Sequence, residues 1–184
     1  MEGLSDSPCP MGALSEEEVT LSESSTATSE PRVITTVAEL KELVGQELGV
    51  SDWLEVTQER VNAFADATGD HQYIHVDPER ARETFFGGTI AHGYLTLSLI
   101  PELSRTRQGV TINLGGRMGV NYGLNKVRFP APVRVGKRIR LRTKLLAVEE
   151  IGDRCVQLVN QQTIEVEGEE RPACVAETVG RTYF

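Results

Sequence analysis

The chain has 184 residues, 39% of them hydrophobic and 25% charged, and a formal net charge of −8. Those proportions are ordinary for a globular protein and leave room for one domain with a sizeable core. The acidic balance argues against general nucleic-acid affinity, which needs clustered Lys and Arg, and no run reaches the roughly 18 apolar residues of a membrane span.

The acidity is concentrated at one end. Residues 1–36 hold seven Asp or Glu, one basic residue (Arg32) and twelve Ser or Thr, whereas the remaining 148 residues carry a net charge of only −2. Such a segment buries too little apolar surface to offset the entropy of ordering, so 1–36 is expected to be a disordered tail on a domain spanning 37–184. It has neither the basic and apolar regions of a secretory signal nor the basic character of a mitochondrial transit peptide. Cys9, Cys155 and Cys174 are odd in number and form no CxxC pair. Reduced thiols in a cytoplasmic protein are the expectation.

Val37–Val44 reads as a short helix closed by Gly45, and Trp53–Val56 as a short strand. Thr57 is an N-cap for a helix over Gln58–Thr68, whose Val61, Phe64, Ala65 and Thr68 share one face; Gly69 ends it. Asp70 and His75 then fall in the loop leaving this helix, where a rigid scaffold can present functional groups. Asp77 and Pro78 open a further helix over Glu79–Thr84, broken by Gly87-Gly88. Ile90–Leu103 is apolar nearly all round, which predicts one long helix buried on most sides, Ser98 included.

A glycine-rich connection from Gly109 to Gly123 follows, and then a short strand, Val127–Phe129, stopped by Pro130. The remainder reads as three extended stretches, Arg138–Glu149, Asp153–Glu167 and Arg171–Phe184, joined by turns. In the first of them Ile139, Leu141, Thr143 and Leu145 alternate with Arg138, Arg140, Arg142 and Lys144, the period of a strand with one buried and one wet face. Helices first and an antiparallel meander after them predict an α+β domain with one long helix packed on a sheet.

The three histidines, His71, His75 and His92, all lie within one 22-residue stretch that begins beside Asp70. Imidazole titrates nearest neutrality and suits proton transfer at physiological pH. Taken singly, Asp70 after Gly69 could simply turn the chain, His75 between Ile74 and Val76 could be a satisfied core histidine, and His92 could fix the loop before a helix. An acid and an imidazole five residues apart, followed by Gly93 at a helix start, instead look like a site. Asp70, His71, His75 and His92 are also possible metal ligands. However, they lack the helical HExxH arrangement and its Glu, so neither a metal nor a cofactor is expected.

The run Ala67-Thr68-Gly69-Asp70-His71-Gln72-Tyr73-Ile74-His75-Val76-Asp77-Pro78, with Ile90-Ala91-His92-Gly93 downstream, resembles the MaoC-like (R)-specific enoyl-CoA hydratases. The nearest subgroup is the nodulation-protein-N-like dehydratases. The resemblance covers roughly residues 38–184 and rests on both halves of a paired signature. It departs from the family pattern at Gln72-Tyr73, where relatives carry Asn-Pro, and at Gly136-Lys137, where they often carry Gly-Asp. The resemblance implies a hotdog fold, a curved antiparallel sheet wrapped around the long helix, and a homodimer joined along sheet edges. It further implies hydration of a 2-enoyl thioester of CoA or acyl carrier protein, by syn addition. Asp70 and His75 would grip one water, and the Gly93 N–H would receive the thioester oxygen. Tyr73, His92, Tyr122 and Asn125 are the candidates for contacting substrate. Arg128, Arg134, Lys137 and Arg138 could meet phosphates or form a solvated strand edge. A hotdog acyl-CoA thioesterase and a non-catalytic thioester-binding protein remain as alternatives, since fold does not imply function.

Overall fold

The computed structural model of the protein describes residues 32–184. The expected tail therefore lies outside the described residues up to position 31, together with Cys9. Its last residues do not: Val33–Ile34 form β1, and Ile34 is only 1% exposed. Composition set the boundary a few residues too late, because two apolar residues are too short a run to register as a strand. Thr36 caps α1 (Val37–Glu42) in a reciprocal capping box with Glu39. Gly45 follows the helix with φ 86°, a conformation that costs glycine little.

Two short strands come next, β2 (Glu47–Val50) and β3 (Leu54–Glu55). The helix α2 (Gln58–Thr68) has the expected limits, with Thr57 accepting the Arg60 N–H and Gly69 left-handed at φ 76°. The loop beyond it is shorter than expected. Tyr73–Val76 make a single turn, α3, so His75 stands on a helical turn and only Asp70 lies in open loop. Pro78–Arg82 form α4, capped by Asp77.

The expected long helix is corrected in two respects. It starts at Gly93, and it is interrupted at Leu99, giving α5 (Gly93–Ser98) and α6 (Ile100–Arg105). Pro101 has no N–H to continue the ladder, which accounts for the break. Nor is the helix buried all round. Leu95, Leu99 and Leu103 face the core, whereas Tyr94 is 71% exposed and Ser98 is also exposed.

The second half is sheet: β4 (Gln108–Gly109), β5 (Thr111–Ile112), β6 (Met118–Arg128), β7 (Arg138–Glu150), β8 (Cys155–Val166) and β9 (Cys174–Tyr183). The strand order is β4-β2-β7-β8-β9-β6, with β3 also on β7, and neighbours run antiparallel. A parallel clasp of β1 on β5 stands apart. The meander is as expected, but β6 begins inside the supposed glycine-rich connection and absorbs the short strand at Val127. It is an edge strand carrying two register shifts, at Tyr122 and Asn125. Glycines and bulges broke the alternation by which a strand is read.

Ile139, Leu141 and Leu145 of β7 point inward and are fully buried. Outward, Arg140 and Arg142 share Glu165 at 2.7 and 3.1 Å, Arg142 also meets Glu47 at 2.6 Å, and Arg138 pairs with Glu167. The β7 interior serves two apolar clusters. One gathers Val56, Val61, Leu95, Leu99, Leu103, Ile139, Leu141 and Ile164 beneath the helices, and the other gathers Ile34, Leu40, Leu43, Leu48 and Leu145 under α1. Burial raises the Cys174 thiol to about 11, so it is an inert packing group.

Removing residues 1–31 is expected to leave stability unchanged, whereas removing 1–36 should not. The longer deletion takes away buried Ile34, worth roughly 2–4 kcal/mol, and the Thr36 cap, worth about 1 kcal/mol. At roughly 2–4 °C per kcal/mol for a domain of this size, the midpoint should fall by about 6 °C or more. Thermal melts of the two truncations check it; equal midpoints would mean that the β1 clasp contributes nothing.

Candidate active site

Gly69 turns the chain sharply at the end of α2 and delivers Asp70 beside the turn that carries His75. The Asp70 side chain is exposed, with its Oδ1 3.4 Å from the Gln72 N–H. Gln72 has φ −57° and ψ 133°, the extended setting that a residue before proline adopts. Tyr73 therefore occupies the first helical position after an extended residue, a place that a proline could also fill. The Tyr73 ring instead lies under the Arg80 guanidinium, 4.0 Å from its centroid. No hydrogen bond or ring contact joins Tyr73 to Asp70 or His92 among the described residues.

His75 is 7% exposed, and its Nδ1 lies 2.7 Å from the Ile90 carbonyl oxygen. Because a carbonyl can only accept, the proton sits on Nδ1 and the Nε2 lone pair is free; Nε2 has no protein partner among the described residues. His92, 3% exposed, donates from Nε2 to the Asp70 main-chain carbonyl at 2.9 Å. Its ring stacks on that of His75, with centroids 3.8 Å apart, and meets Phe64 on another side. The Nδ1 of His92 is buried without a partner. Asp70, His75 and His92 therefore converge, each offering one atom within 4.8 Å of the others. His71 turns away to Asp66 at 2.8 Å, which takes it out of any metal set with the other three. The stacked rings hold their lone pairs in separate planes, 3.8 Å apart at the ring centres and inclined by 28°, an arrangement poorly suited to a tetrahedral ion.

Withdrawal from water holds the His75 pKa below the ordinary histidine value; the contact with Ile90 opposes this, and His92 adds to the depression. The imidazole is therefore neutral at pH 7. The unfolded chain binds that proton more readily, so stability should begin to fall below about pH 6.5, its unfolded value. Turnover should fall lower still, through the depressed folded value. Profiles of kcat/KM and thermal midpoint between pH 8 and 5 check the order; an acid limb above the ordinary histidine value contradicts it.

Gly93 opens α5, where a first-turn N–H has no partner within the helix. Its φ is not in the left-handed region, so glycine is needed here for space. A Cβ at this position would lie 3.0–3.2 Å from ring atoms of Phe129. The sequence places Phe129 only as the end of a short strand before Pro130; the strand closes at Arg128, and the packing of the ring on Gly93 is a contact between distant segments.

Tyr122 and Asn125 are the two bulged residues of β6. Tyr122 is 59% exposed, and the Arg181 guanidinium lies 3.3 Å from its ring centroid. Neither residue joins the Asp70 cluster within this chain. Of the four cations considered for phosphates, Arg138 and Lys137 pair with Glu167 and Glu169. Arg128 bonds the Val127 carbonyl at 2.7 Å, and Arg134 lies along the Gly87 loop.

Residues 39–167 match the family model described as a MaoC like domain. The chain belongs to the MaoC-like family. Over 150 residues it is 54% identical to 3-hydroxyacyl-thioester dehydratase Z of Mycobacterium tuberculosis, covering 82% of this chain and 97% of that protein. Nodulation protein N of Rhizobium leguminosarum bv. viciae is 45% identical, over 80% of this chain and 91% of its own length. Among solved structures, the (R)-hydratase from A. caviae aligns with TM-score 0.58 and 27% identity, over 74% of this chain and 94% of that one. The fold is the hotdog, with the α5–α6 helix packed on the antiparallel sheet. No helix among the described residues is long and apolar enough to cross a membrane.

Proposed function

We propose that this protein is a hydratase/dehydratase that interconverts a trans-2-enoyl thioester and the (R)-3-hydroxyacyl thioester. The observation that carries the reading is the approach of the Asp70 carboxylate to the neutral His75 imidazole, within 4.8 Å. Hydrogen bonds of about 2.8 Å from one water reach two acceptors at that separation. The Asp70 carboxylate takes one water proton as the oxygen attacks the β-carbon. The water's second hydrogen stays on the new hydroxyl, held by His75 Nε2. The electron pair moves through the α-carbon to the thioester oxygen, where the Gly93 N–H meets the developing charge. Asp70 then returns its proton to the α-carbon on the same face, so addition is syn and the carboxylate is regenerated.

The 54% identity to a 3-hydroxyacyl-thioester dehydratase and the likeness to an (R)-hydratase support the substrate class and the stereochemistry. The working unit we infer is a homodimer. Its support is the eleven-residue edge strand β6, which leaves Met118, Tyr122 and Leu124 exposed beside a groove of about 450 Å³. Pairing such an edge removes a surface prone to uncontrolled association. The cytoplasm is the compartment this reading assigns, on the strength of two buried unpaired cysteines. Loss of the enoyl-thioester absorbance of crotonyl-CoA, followed on protein sized by light scattering, tests enzyme and assembly together. No hydration, with free thiol released from saturated acyl-CoA, would replace the reading by a thioesterase.

A further inference from the structure

Behind His75 lies a set of hydrogen bonds that takes no part in the chemistry above. Gln58 opens α2, and its side-chain amide is fully engaged. Nε2 donates to the His75 carbonyl at 2.7 Å and to Asn62 Oδ1 at 2.8 Å, while Oε1 accepts from the Thr89 hydroxyl at 2.6 Å. Thr89 is buried, and its main-chain oxygen accepts the Val135 N–H at 3.0 Å. The next residue, Ile90, donates its N–H to the Ile74 carbonyl at 3.0 Å and receives the His75 Nδ1–H on its own carbonyl.

One side chain therefore joins two segments. The first is the main chain that carries the imidazole; the second leads directly into the carbonyl that orients it. Only a group that both donates to a carbonyl and accepts from a hydroxyl can bridge them, which a primary amide does and a carboxylate does not. A misplacement of about 1 Å at a reacting group can cost on the order of 10²-fold in rate, so the bridge bears on turnover and not on stability alone.

We infer that Gln58 is a positioning residue for the hydration step, fixing the His75 main chain against Thr89–Ile90 and so aiming His75 Nε2 at the water. The inference rests on the reading of His75 as one half of the water-binding pair. The full-length enzyme carrying Gln58→Leu, Gln58→Glu, Thr89→Val or His75→Gln tests it, each variant measured for kcat, KM and pH profile on crotonyl-CoA. Gln58→Leu should lower kcat roughly 10- to 100-fold with KM within about twofold. Gln58→Glu keeps the Thr89 contact but sets a carboxylate beside His75. Its kcat should fall likewise, and the acid limb should move to higher pH, because a nearby anion favours imidazolium. Thr89→Val should lower kcat by less and leave the acid limb in place.

A Gln58→Leu enzyme that melts earlier yet turns over normally per folded molecule would reduce the residue to a structural tie and overturn the inference. If Gln58→Leu does not fold, an unmoved acid limb and normal kcat in Gln58→Glu overturn it equally. His75→Gln separates the two readings. If that variant keeps wild-type turnover, the water-binding pair itself is wrong; if it collapses while both Gln58 variants work normally, only the positioning role fails.

Discussion

Asp70→Asn and His75→Gln are each expected to lower kcat on crotonyl-CoA by about 10²–10⁴-fold while leaving the fold intact, the range for removal of a positioned proton-transfer group. The Asp70 side chain is exposed and makes only a long contact with the Gln72 N–H, so its amide analogue should melt within about 1 °C of the wild type. His75 is buried, but a glutamine amide can still donate to the Ile90 carbonyl and keep that oxygen satisfied. What the glutamine lacks is the neutral ring's Nε2 lone pair in its fixed direction. Near wild-type turnover in either variant would remove that residue from the reaction.

Gly93→Val should reduce hydration by roughly 10²-fold or more, comparable to losing one oxyanion donor. The valine itself costs a helix well under about 1 kcal/mol in propensity. The Phe129 ring complicates the comparison, since any Cβ at 93 approaches it to 3.0 Å. A second background resolves the matter, because Phe129 is 41% exposed and can be trimmed without opening the core. If Gly93 exists to let acyl thioester reach its N–H, the Gly93→Val/Phe129→Ala double variant stays inactive although the clash is relieved. If Gly93 exists only to seat Phe129, the double variant regains both its melting temperature and its activity.

The parts of the site that were legible in sequence are those written in local chemistry. Thr57, the 3.6-residue repeat and Gly69 define α2 and so the point at which Asp70 emerges; the five-residue spacing then places His75. The bond from His92 to the Asp70 carbonyl ties down the loop leaving α2, whereas the sequence suggested for His92 a brace on the loop before its own helix or a contact with substrate. Illegible were the features that depend on distant partners. Gln58 at a helix start looks like any solvated polar residue until Thr89 and His75 come round to meet it. Strand β6 looked like linker because its glycines and two bulges erase the alternation; Tyr122 and Asn125, singled out in the sequence as substrate contacts, are the two bulged residues of that ladder. The interruption at Leu99 follows from Pro101, which the sequence reading passed over inside a continuous apolar run.

The two apolar clusters that share β7 make this a molecule of unequal halves. Ile139 and Leu141 anchor the half beneath α2 and α5, whereas Leu145, two pleats further on, anchors the half under α1 that the β1 clasp closes. The smaller half is held by a clasp of two residue pairs joining segments nearly eighty positions apart, Ile34 on Ile112. Such a unit can open by itself at a free energy below that of global unfolding. Amides of α1 and β2 should then exchange with solvent ahead of those in α2 and β8, through excursions that leave the cluster of Asp70, His75 and His92 in place. Thermal fluctuation is thereby confined to the end of the sheet away from Asp70, His75 and His92.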